Sequence, residues 1–190
     1  MRKVILSMEM SLDGFVAGPN DAMDWFDPND KEHWSVLFDL LPNIDAMILG
    51  GNMYPGYAGY WKDAVDNPSK HSPEEVKFAK IADKTPHIVF SKTKKVEWDN
   101  TRIVTDPLDE TIKKMKKEPG KDMIVWGGAA LASSLIKLDL VDEYYLITNP
   151  VILGAGKNLF TDVQKHQLEL ISSKQFKGGA VQLMYRRKRD

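Results

Sequence analysis

The chain has 190 residues, of which 43% are hydrophobic and 28% are charged, as in an ordinary globular protein. Its 26 Lys and Arg residues are balanced by 27 Asp and Glu residues, which argues against a nucleic-acid partner because phosphate backbones require a basic surface. The absence of cysteine excludes disulfides, thiolate metal sites and a cysteine nucleophile.

The amino-terminal half of the chain alternates short apolar runs with segments of helical spacing. The apolar runs predict strands, and apolar residues three or four positions apart predict helices. The predicted elements, in chain order, are strand Val4–Met10, helix 34–41, strand Ala46–Leu49, helix Pro73–Asp83 and strand His87–Phe90. Residues 11–28 predict a long loop, and residues 52–60, with three tyrosines among chain breakers, predict a turn or an irregular helix.

The carboxyl-terminal half continues this alternation and then ends on two strands. Its predicted elements are strand Thr101–Thr105, helix Pro107–Glu118, strand Asp122–Trp126, helix Ala129–Leu138, strand Glu143–Thr148, and strands Gln167–Gln175 and Val181–Arg187. Gly178 and Gly179 join the last two strands as a hairpin. The alternation predicts one α/β domain over residues 1–190, with a mixed, mostly parallel sheet covered on both faces and a C-terminal antiparallel hairpin.

Three of the predicted strands end in a turn of small or hydroxyl residues. These turns are Gly50-Gly51-Asn52, Ser91-Lys92-Thr93 and Gly127-Gly128-Ala129-Ala130. In a parallel sheet, ligands bind at the carboxyl ends of the strands. Glycines let the backbone approach a ligand, and the first turn of a helix presents unpaired N–H groups to an anion. The pattern predicts a phosphate-binding crevice, with three ordinary turns between strands and helices as the alternative.

The three turns together suit a dinucleotide better than a single phosphate ester. Two Gly-Gly turns can hold a pyrophosphate with backbone N–H groups, while Ser91, Lys92 and Thr93 offer hydroxyls and one charge to a further phosphate. The sequence is not a Rossmann fingerprint, because no G-x-G-x-x-G opens a helix, and it contains no Walker A motif.

Six segments of the chain, taken in order, resemble a known family. They are SLDGFVAG (11–18), MILGGNMY (47–54), VFSKT (89–93), VWGGAALASSL (125–135), LVDEYYL (140–146) and PVILGAGKNLF (150–160). The series covers most of the chain and is fairly specific, although each piece alone is not. On these segments the chain resembles the dihydrofolate-reductase-like superfamily, in the branch of the RibD C-terminal domain, which is the reductase domain of bacterial riboflavin biosynthesis.

The resemblance implies a three-layer α/β/α dihydrofolate-reductase-like fold, NADPH as the hydride donor and a homodimer. It also implies where the parts of the cofactor lie. The implied contacts are Gly50, Gly51 and Asn52 for the phosphates, Ser91 and Lys92 for the adenosine ribose and its 2′-phosphate, and Gly127, Gly128, Ala129, Ala130 and Leu131 for the pyrophosphate. In the first loop, Asp13, Gly14 and Ala17 would border the nicotinamide and the substrate.

The chain departs from the family pattern at two positions. Dihydrofolate reductases often have an arginine that meets the 2′-phosphate where this chain has Gly51, so a preference for NADPH over NADH rests on Lys92. The riboflavin reductases commonly have a glutamate near the substrate where this chain has Trp126. A bulky indole in place of a carboxylate argues against that particular substrate and makes Trp126 a predicted substrate contact.

Asp13 and Trp25 are the other predicted substrate contacts. Asp13 is the predicted catalytic residue, as the acid that supplies a proton or as a substrate anchor; alternatively, it hydrogen-bonds its own turn before Gly14. Trp25, Phe26 and Trp61 either form an aromatic wall for a planar substrate or belong to the core.

Neither a metal site nor a membrane span is predicted. The four histidines show no ligand spacing, and the acidic residues of the first loop miss the calcium-loop pattern. No apolar run approaches the ~20 residues of a membrane span, so we expect a cytoplasmic protein with no membrane partner.

The leading hypothesis is an NADPH-dependent reductase of a small heterocyclic or carbonyl substrate. Within this class, the second hypothesis is reduction of the ribosylamino-pyrimidine intermediate of riboflavin synthesis. Two other classes stay open: a nucleotide-binding module or sensor without turnover, and a structural protein that dimerises.

Overall fold

The computed structural model describes residues 1–188, and this part of the chain holds ten strands and five α-helices. The strands are β1 (Val4–Ser11), β2 (Phe15–Ala17), β3 (Ile44–Gly50), β4 (His87–Phe90), β5 (Thr101–Val104), β6 (Asp122–Gly127), β7 (Glu143–Asn149), β8 (Lys157–Asn158), β9 (Leu168–Gln175) and β10 (Val181–Arg187). The helices are α1 (Lys31–Leu40), α2 (Tyr54–Asp66), α3 (Pro73–Ala82), α4 (Leu108–Lys117) and α5 (Ala129–Lys137).

Eight of the described strands form one mixed sheet in the order β5-β4-β3-β6-β1-β7-β10-β9. Neighbouring strands from β5 to β7 pair in parallel. β10 runs antiparallel to both β7 and β9, so the predicted C-terminal hairpin forms one edge of the sheet. The prediction of a mixed, mostly parallel sheet with an antiparallel hairpin is therefore confirmed.

Helices cover both faces of this sheet, because alternate residues of each strand point to opposite faces. On β1, Ile5 packs in the core under α1, α2 and α3, whereas Leu6 packs in the core under α4 and α5. The predicted three-layer α/β/α arrangement is confirmed. Within residues 1–188, none of the helices combines the length and apolar character that a membrane crossing needs.

Within the segment predicted as a turn or an irregular helix, residues 52–60, the structure has α2 begin at Tyr54 as a helix of 13 residues. Pro55 lies in its first turn, where a missing N–H costs no helical hydrogen bond. Gly56 and Gly59 are exposed, whereas Tyr57 and Ala58 are buried against the sheet. The burial of the aromatic and alanine face thus outweighs the low helix propensity of the two glycines.

A two-stranded sheet that the sequence did not predict joins the first long loop to a distant segment of the chain. β2 pairs antiparallel with β8, so the segment near Phe15 is held against the segment near Asn158. Val16 and Ala17 are buried there. The first loop is therefore fixed by tertiary pairing, which a pattern of local residues does not reveal.

Ion pairs gather at the amino edge of the sheet, where β1 and β7 begin. The ammonium group of Lys116 lies 2.6 Å from the carboxylate of Asp142, and that of Lys3 lies 2.7 Å from Glu143. Asp142 also accepts the backbone N–H of Val4. These charged side chains pair with one another and link neighbouring strands, so their role at the amino edge is structural. The opposite, carboxyl edge is the candidate place for a ligand.

Candidate functional site

The three predicted turns meet at the carboxyl edge of the sheet. A Cβ atom on Gly50 would lie 3.3 Å from the backbone nitrogen of Gly128 and 3.4 Å from Cβ of Leu131. A Cβ atom on Gly51 would lie 2.6 Å from Cβ of Ser91. The first turn therefore contacts the second on one side and the third on the other, as the sequence predicted.

The turn at the start of α5 presents backbone rather than side chains. Gly127 has a φ of +134°, and a Cβ atom there would lie 2.5 Å from Sδ of Met53, so the fold requires glycine. Gly128 is the N-cap of α5, makes no side-chain cap and has an ordinary φ of −87°. The first turn of α5 contains no acidic residue. Its backbone N–H groups, including those of Ala129 and Ala130, are thus available to an anion.

A cavity of about 430 Å³ adjoins the second turn. It lies beyond the carboxyl ends of β4 and β5 and is lined by Phe90, Ser91, Lys92, Val104, Thr105, Asp106, Pro107 and Leu108. The hydroxyl oxygen of Ser91 accepts the N–H groups of Thr93 and Lys94 and so shapes the turn. Lys92 and Asp106 give the cavity one positive and one negative side chain.

Asp13 is fixed by hydrogen bonds within the protein. Its carboxylate accepts the hydroxyl of Ser11 at 2.6 Å and the backbone N–H groups of Leu153 at 3.1 Å and Gly154 at 2.7 Å. The hydroxyl of Ser11 and these N–H groups hold the pKa of Asp13 below its usual range. A carboxylate so stabilised carries no proton near neutral pH, which favours the interpretation of Asp13 as an organiser of its turn.

The rest of the first loop is held against the same partner segment. Gly14 has a φ of +85°, and a Cβ atom there would lie 3.4 Å from the amide of Asn158. Ala17 pairs with Lys157 in the small sheet. The two predicted nicotinamide contacts Gly14 and Ala17 therefore lie on a loop clamped to residues 153–158.

The predicted aromatic residues divide between two places. Trp126 stacks on Phe78 with ring centroids 5.0 Å apart, and Trp61 contacts the same ring at 4.6 Å. Trp25 instead contacts Phe26 and donates its indole N–H to the carbonyl of Ala22. The three residues predicted as one wall do not share one surface, since Trp61 belongs to the core under α1, α2 and α3.

A polar cluster at the carboxyl end of β1 was not predicted from the sequence. A carboxylate oxygen of Glu9 lies 2.8 Å from Nδ1 of His33, on α1, and the other accepts the side-chain amide of Asn149, on β7, at 2.5 Å. The side chain of Glu9 is only 11% exposed, whereas that of His33 is 24% exposed. We call these three residues the Glu9 cluster. One signal for it exists: Glu9 is a charged residue within an otherwise uncharged strand.

The Glu9 cluster lies at the same edge of the sheet as the glycine turns. Leu6 of β1 pairs with Val125 of β6, and continuing this register brings Glu9 level with Gly128. Glu9 is on the α1 face, as its contact with His33 requires. The carboxyl edge therefore has a glycine-lined part and, beside it, a part with an acid, an imidazole and an amide. Within residues 1–188, no three acidic or histidine side chains are grouped as metal ligands would be.

Comparison with known proteins finds one family model and two relatives that match nearly the whole chain. The family model of the RibD C-terminal domain matches residues 2–182. The chain is 36% identical over 189 residues to the uncharacterized protein YyaP of Bacillus subtilis, an alignment that covers 97% of this chain and 94% of YyaP. It is 28% identical over 185 residues to the uncharacterized protein YwjB of the same organism, with 97% of each chain covered.

Solved structures show the same fold at lower sequence identity. A putative riboflavin biosynthesis protein from a Shewanella species superposes with a TM-score of 0.73 at 22% identity, and all of both chains is covered. A pyrimidine reductase-like protein from Corynebacterium diphtheriae gives a TM-score of 0.63 at 16% identity, covering 100% of this chain and 93% of the other. A diaminohydroxyphosphoribosylaminopyrimidine deaminase/5-amino-6-(5-phosphoribosylamino)uracil reductase from Thermotoga maritima gives 0.67 at 14% identity, covering 98% of this chain and 57% of that protein.

Proposed function

Because the chain belongs to the family of RibD C-terminal domains, we propose that it is a reductase that transfers a hydride from NADPH to a small heterocyclic substrate. The main observation that supports the proposal is the close approach of the turns at Gly50–Gly51, Ser91 and Gly127–Gly128. Backbone-lined turns that meet at the carboxyl ends of parallel strands suit the pyrophosphate of a dinucleotide.

The residues at this edge fit such a cofactor. Gly50, Gly51 and Asn52 would lie along its phosphates, and the N–H groups of residues 128–131 would receive the pyrophosphate at the start of α5, where no acidic side chain opposes it. The adenosine part would enter the cavity of about 430 Å³, where Lys92 would meet the 2′-phosphate.

In this proposal the protein's part in the chemistry is positioning, exclusion of water and supply of a proton. When bound, the reduced nicotinamide supplies the hydride. The loop with Asp13, Gly14 and Ala17 borders the nicotinamide. Asp13 anchors this loop through Leu153 and Gly154 rather than supplying the proton, because its pKa is lowered.

The substrate class is supported by the family and by the local chemistry of the site. The reductase named for the Thermotoga maritima structure acts on 5-amino-6-(5-phosphoribosylamino)uracil, which makes this pyrimidine the first compound to test. Trp126 stands where riboflavin reductases commonly have a glutamate, and the face of its indole that does not stack on Phe78 would contact a heterocycle. Trp25 is proposed as a second aromatic contact.

A homodimer is proposed from the family, and β9 is the surface that would serve it. Every residue of β9 is exposed although the strand forms the edge of the main sheet. Leu170, for example, is 53% exposed. An edge strand with exposed apolar side chains readily pairs with a second chain. Light scattering during size-exclusion chromatography tests this: twice the chain mass supports the dimer, and the mass of one chain contradicts it.

Titration with NADPH, followed by tryptophan fluorescence, tests the proposed function. Trp126 directly precedes the Gly127–Gly128 turn, so we expect saturable quenching, followed by loss of NADPH absorbance when 5-amino-6-(5-phosphoribosylamino)uracil is added. Saturable binding without oxidation would favour a nucleotide-binding sensor. An absence of binding for NADPH, NADH and flavin would remove both interpretations.

A further inference from the structure

We propose that His33, oriented by Glu9 and Asn149, is the catalytic acid that gives the substrate its proton during reduction. The inference rests on the proposed function and adds to it the group that completes the reaction. A hydride supplies one hydrogen nucleus and two electrons, so reduction of a C=N or C=O bond also needs a proton. Asp13 is not suited to this task, because its hydrogen bonds hold its pKa low.

The hydrogen bonds of the Glu9 cluster determine which nitrogen of His33 is left to exchange a proton. Oε1 of Glu9 lies 2.8 Å from Nδ1 of His33, and Oε2 accepts the amide of Asn149. Carboxylate oxygens accept hydrogen bonds, so this contact assigns the proton of the imidazole to Nδ1. Nε2 is then the atom left to exchange a proton, and among residues 1–188 it has no hydrogen-bond partner.

The first turn of α1 is held in place from two sides. The carboxylate of Asp30 caps α1 by accepting the backbone N–H groups of Glu32 and His33. The carboxylate of Glu32 accepts the backbone N–H of Lys177, in the turn between β9 and β10, at 2.6 Å. A proton donor is effective only when its position is fixed to a fraction of an ångström, and this anchoring supplies that rigidity.

The other three histidines do not meet these requirements. His87 is fully buried in the core, and both of its ring nitrogens have partners. His71 pairs with Asp63 at the junction of α2 and α3, and His166 lies 3.4 Å from Asp139, which follows α5 at the amino edge. His33 is thus the histidine at the carboxyl edge of the sheet. An imidazole is also the side chain whose charge changes most readily near neutral pH.

The proposed step balances in atoms and electrons. The hydride, drawn from the reduced nicotinamide of the proposed function, forms a C–H bond at the unsaturated carbon of the substrate. The π electrons of C=N or C=O move to nitrogen or oxygen, which takes the proton from Nε2 of the His33 imidazolium. The substrate gains two electrons, the nicotinamide loses two, and neutral His33 regains its proton from water. The carboxylate of Glu9, 2.8 Å from Nδ1, stabilises the imidazolium.

His33→Gln tests the proposal in single-turnover oxidation of bound NADPH by 5-amino-6-(5-phosphoribosylamino)uracil. We expect the rate constant to fall by about a hundredfold or more, with the affinity for NADPH unchanged. Glu9→Gln should also lower the rate, because it removes the charge that stabilises the imidazolium. His71→Gln is the matched control, since it breaks another histidine–carboxylate pair away from the edge and should leave the rate unchanged.

A second measurement does not depend on turnover. Nitrogen NMR of the histidine side chains, with His33→Gln used to assign the resonance, should show that neutral His33 carries its proton on Nδ1. A neutral His33 protonated on Nε2 would overturn the proposal. So would wild-type turnover that His33→Gln leaves within about twofold, and in that case the proposed function would stand. If the wild-type protein leaves NADPH unoxidised with each small heterocycle tested, beginning with 5-amino-6-(5-phosphoribosylamino)uracil, both the proposed function and this inference are contradicted.

Discussion

Gly51 and Gly128 both lie in the proposed binding turns, but the fold needs only the first to be glycine. A Cβ atom on Gly51 would lie 2.6 Å from Ser91, closer than any real side chain tolerates, so a substitution would displace the second turn. At Gly128 the nearest atom to an added Cβ is Cβ of Met53, at an ordinary 3.6 Å. Loss of binding is therefore interpretable as a ligand effect at Gly128 but not at Gly51.

Lys92→Ala should weaken NADPH more than NADH, because only NADPH carries the 2′-phosphate that Lys92 is proposed to meet. One charge-assisted contact at an exposed position corresponds to a loss of about tenfold in affinity. Calorimetric titration with each cofactor measures the two losses, and Lys95→Ala, in the same loop, is the control. Equal losses for both cofactors would show that Lys92 does not contact the 2′-phosphate.

Asp106→Asn should instead raise the affinity for NADPH, because Asp106 places a negative charge in the same cavity as Lys92.

The hydrogen bonds of Asn100 determine which ring nitrogen of the buried His87 carries the proton. The side-chain amide of Asn100 donates to the carbonyls of Ala82 and Thr85, so its oxygen accepts the proton on Nδ1 of His87. Nε2 of His87 then accepts the hydroxyl of Tyr57 at 3.1 Å. Burial lowers the pKa of His87, so the ring is neutral in the folded protein at neutral pH.

At the scale of elements, the start of α2 supports the loop between β4 and β5. The hydroxyl of Tyr54 accepts the backbone N–H groups of Glu97 and Trp98, each at 3.0 Å, and donates to the hydroxyl of Thr101. Tyr54 is fully buried. This one side chain thus ties the turn after β3 to the loop that carries Ser91 and Lys92.

Tyr54→Phe should lower the free energy of unfolding by about 2–4 kcal/mol, because it leaves two backbone N–H groups without a partner. Urea denaturation measures this loss. Tyr60→Phe is the control on the same helix: Tyr60 is 47% exposed and, among residues 1–188, its hydroxyl bonds only to the carboxylate of Glu75, so the loss should stay below about 1 kcal/mol. Equal stability of Tyr54→Phe and the wild-type protein would contradict the network.

Most elements of the fold were predictable because their signals are local. The apolar runs of β3, β4 and β6 and the helical spacing in α1 lie within short windows of sequence. For the start of α2 the sequence left a turn and an irregular helix open because Gly56 and Gly59 suggest a turn, whereas the burial of Tyr57 and Ala58 favours the helix. β2 and β8 were missed because their pairing joins segments far apart in the chain.

The candidate site also has one part that local sequence patterns predict and one part that they do not. The glycine turns are visible in the sequence, since strand ends followed by small residues are a local pattern. The Glu9 cluster is not, because Glu9, His33 and Asn149 lie on three separate elements and meet only when α1 packs on the sheet. Asp13 was predicted from its place in the first loop, but its hydrogen-bond partners Leu153 and Gly154 could not be predicted, because they lie far away in the sequence.

For the whole molecule, the neutral His87 predicts that stability falls in acid. Its pKa is below 6.5 in the folded protein, whereas the unfolded chain takes up a proton near 6.5. The unfolded state then binds more protons, so the free energy of unfolding decreases as pH falls from 6.5 toward the folded-state pKa, by at most about 1.4 kcal/mol per pH unit. Above 6.5 this contribution is constant.

Urea denaturation at a series of pH values measures this dependence. In His87→Gln, the decrease in the free energy of unfolding just below pH 6.5 should be smaller than in the wild-type protein. In His71→Gln it should be the same as in the wild-type protein. An identical slope for His87→Gln and the wild-type protein would contradict the assignment of a neutral His87.

Calorimetric titration of Gly128→Asp with NADPH tests most directly whether the turns at the carboxyl edge bind a pyrophosphate. The added carboxylate fits the fold but stands at the start of α5, where it would repel a phosphate, so we expect affinity to fall by about a hundredfold or more. Gly59→Asp, at an open position on α2, should bind NADPH like the wild-type protein. A folded Gly128→Asp variant whose affinity stays within about twofold of wild type would contradict the account.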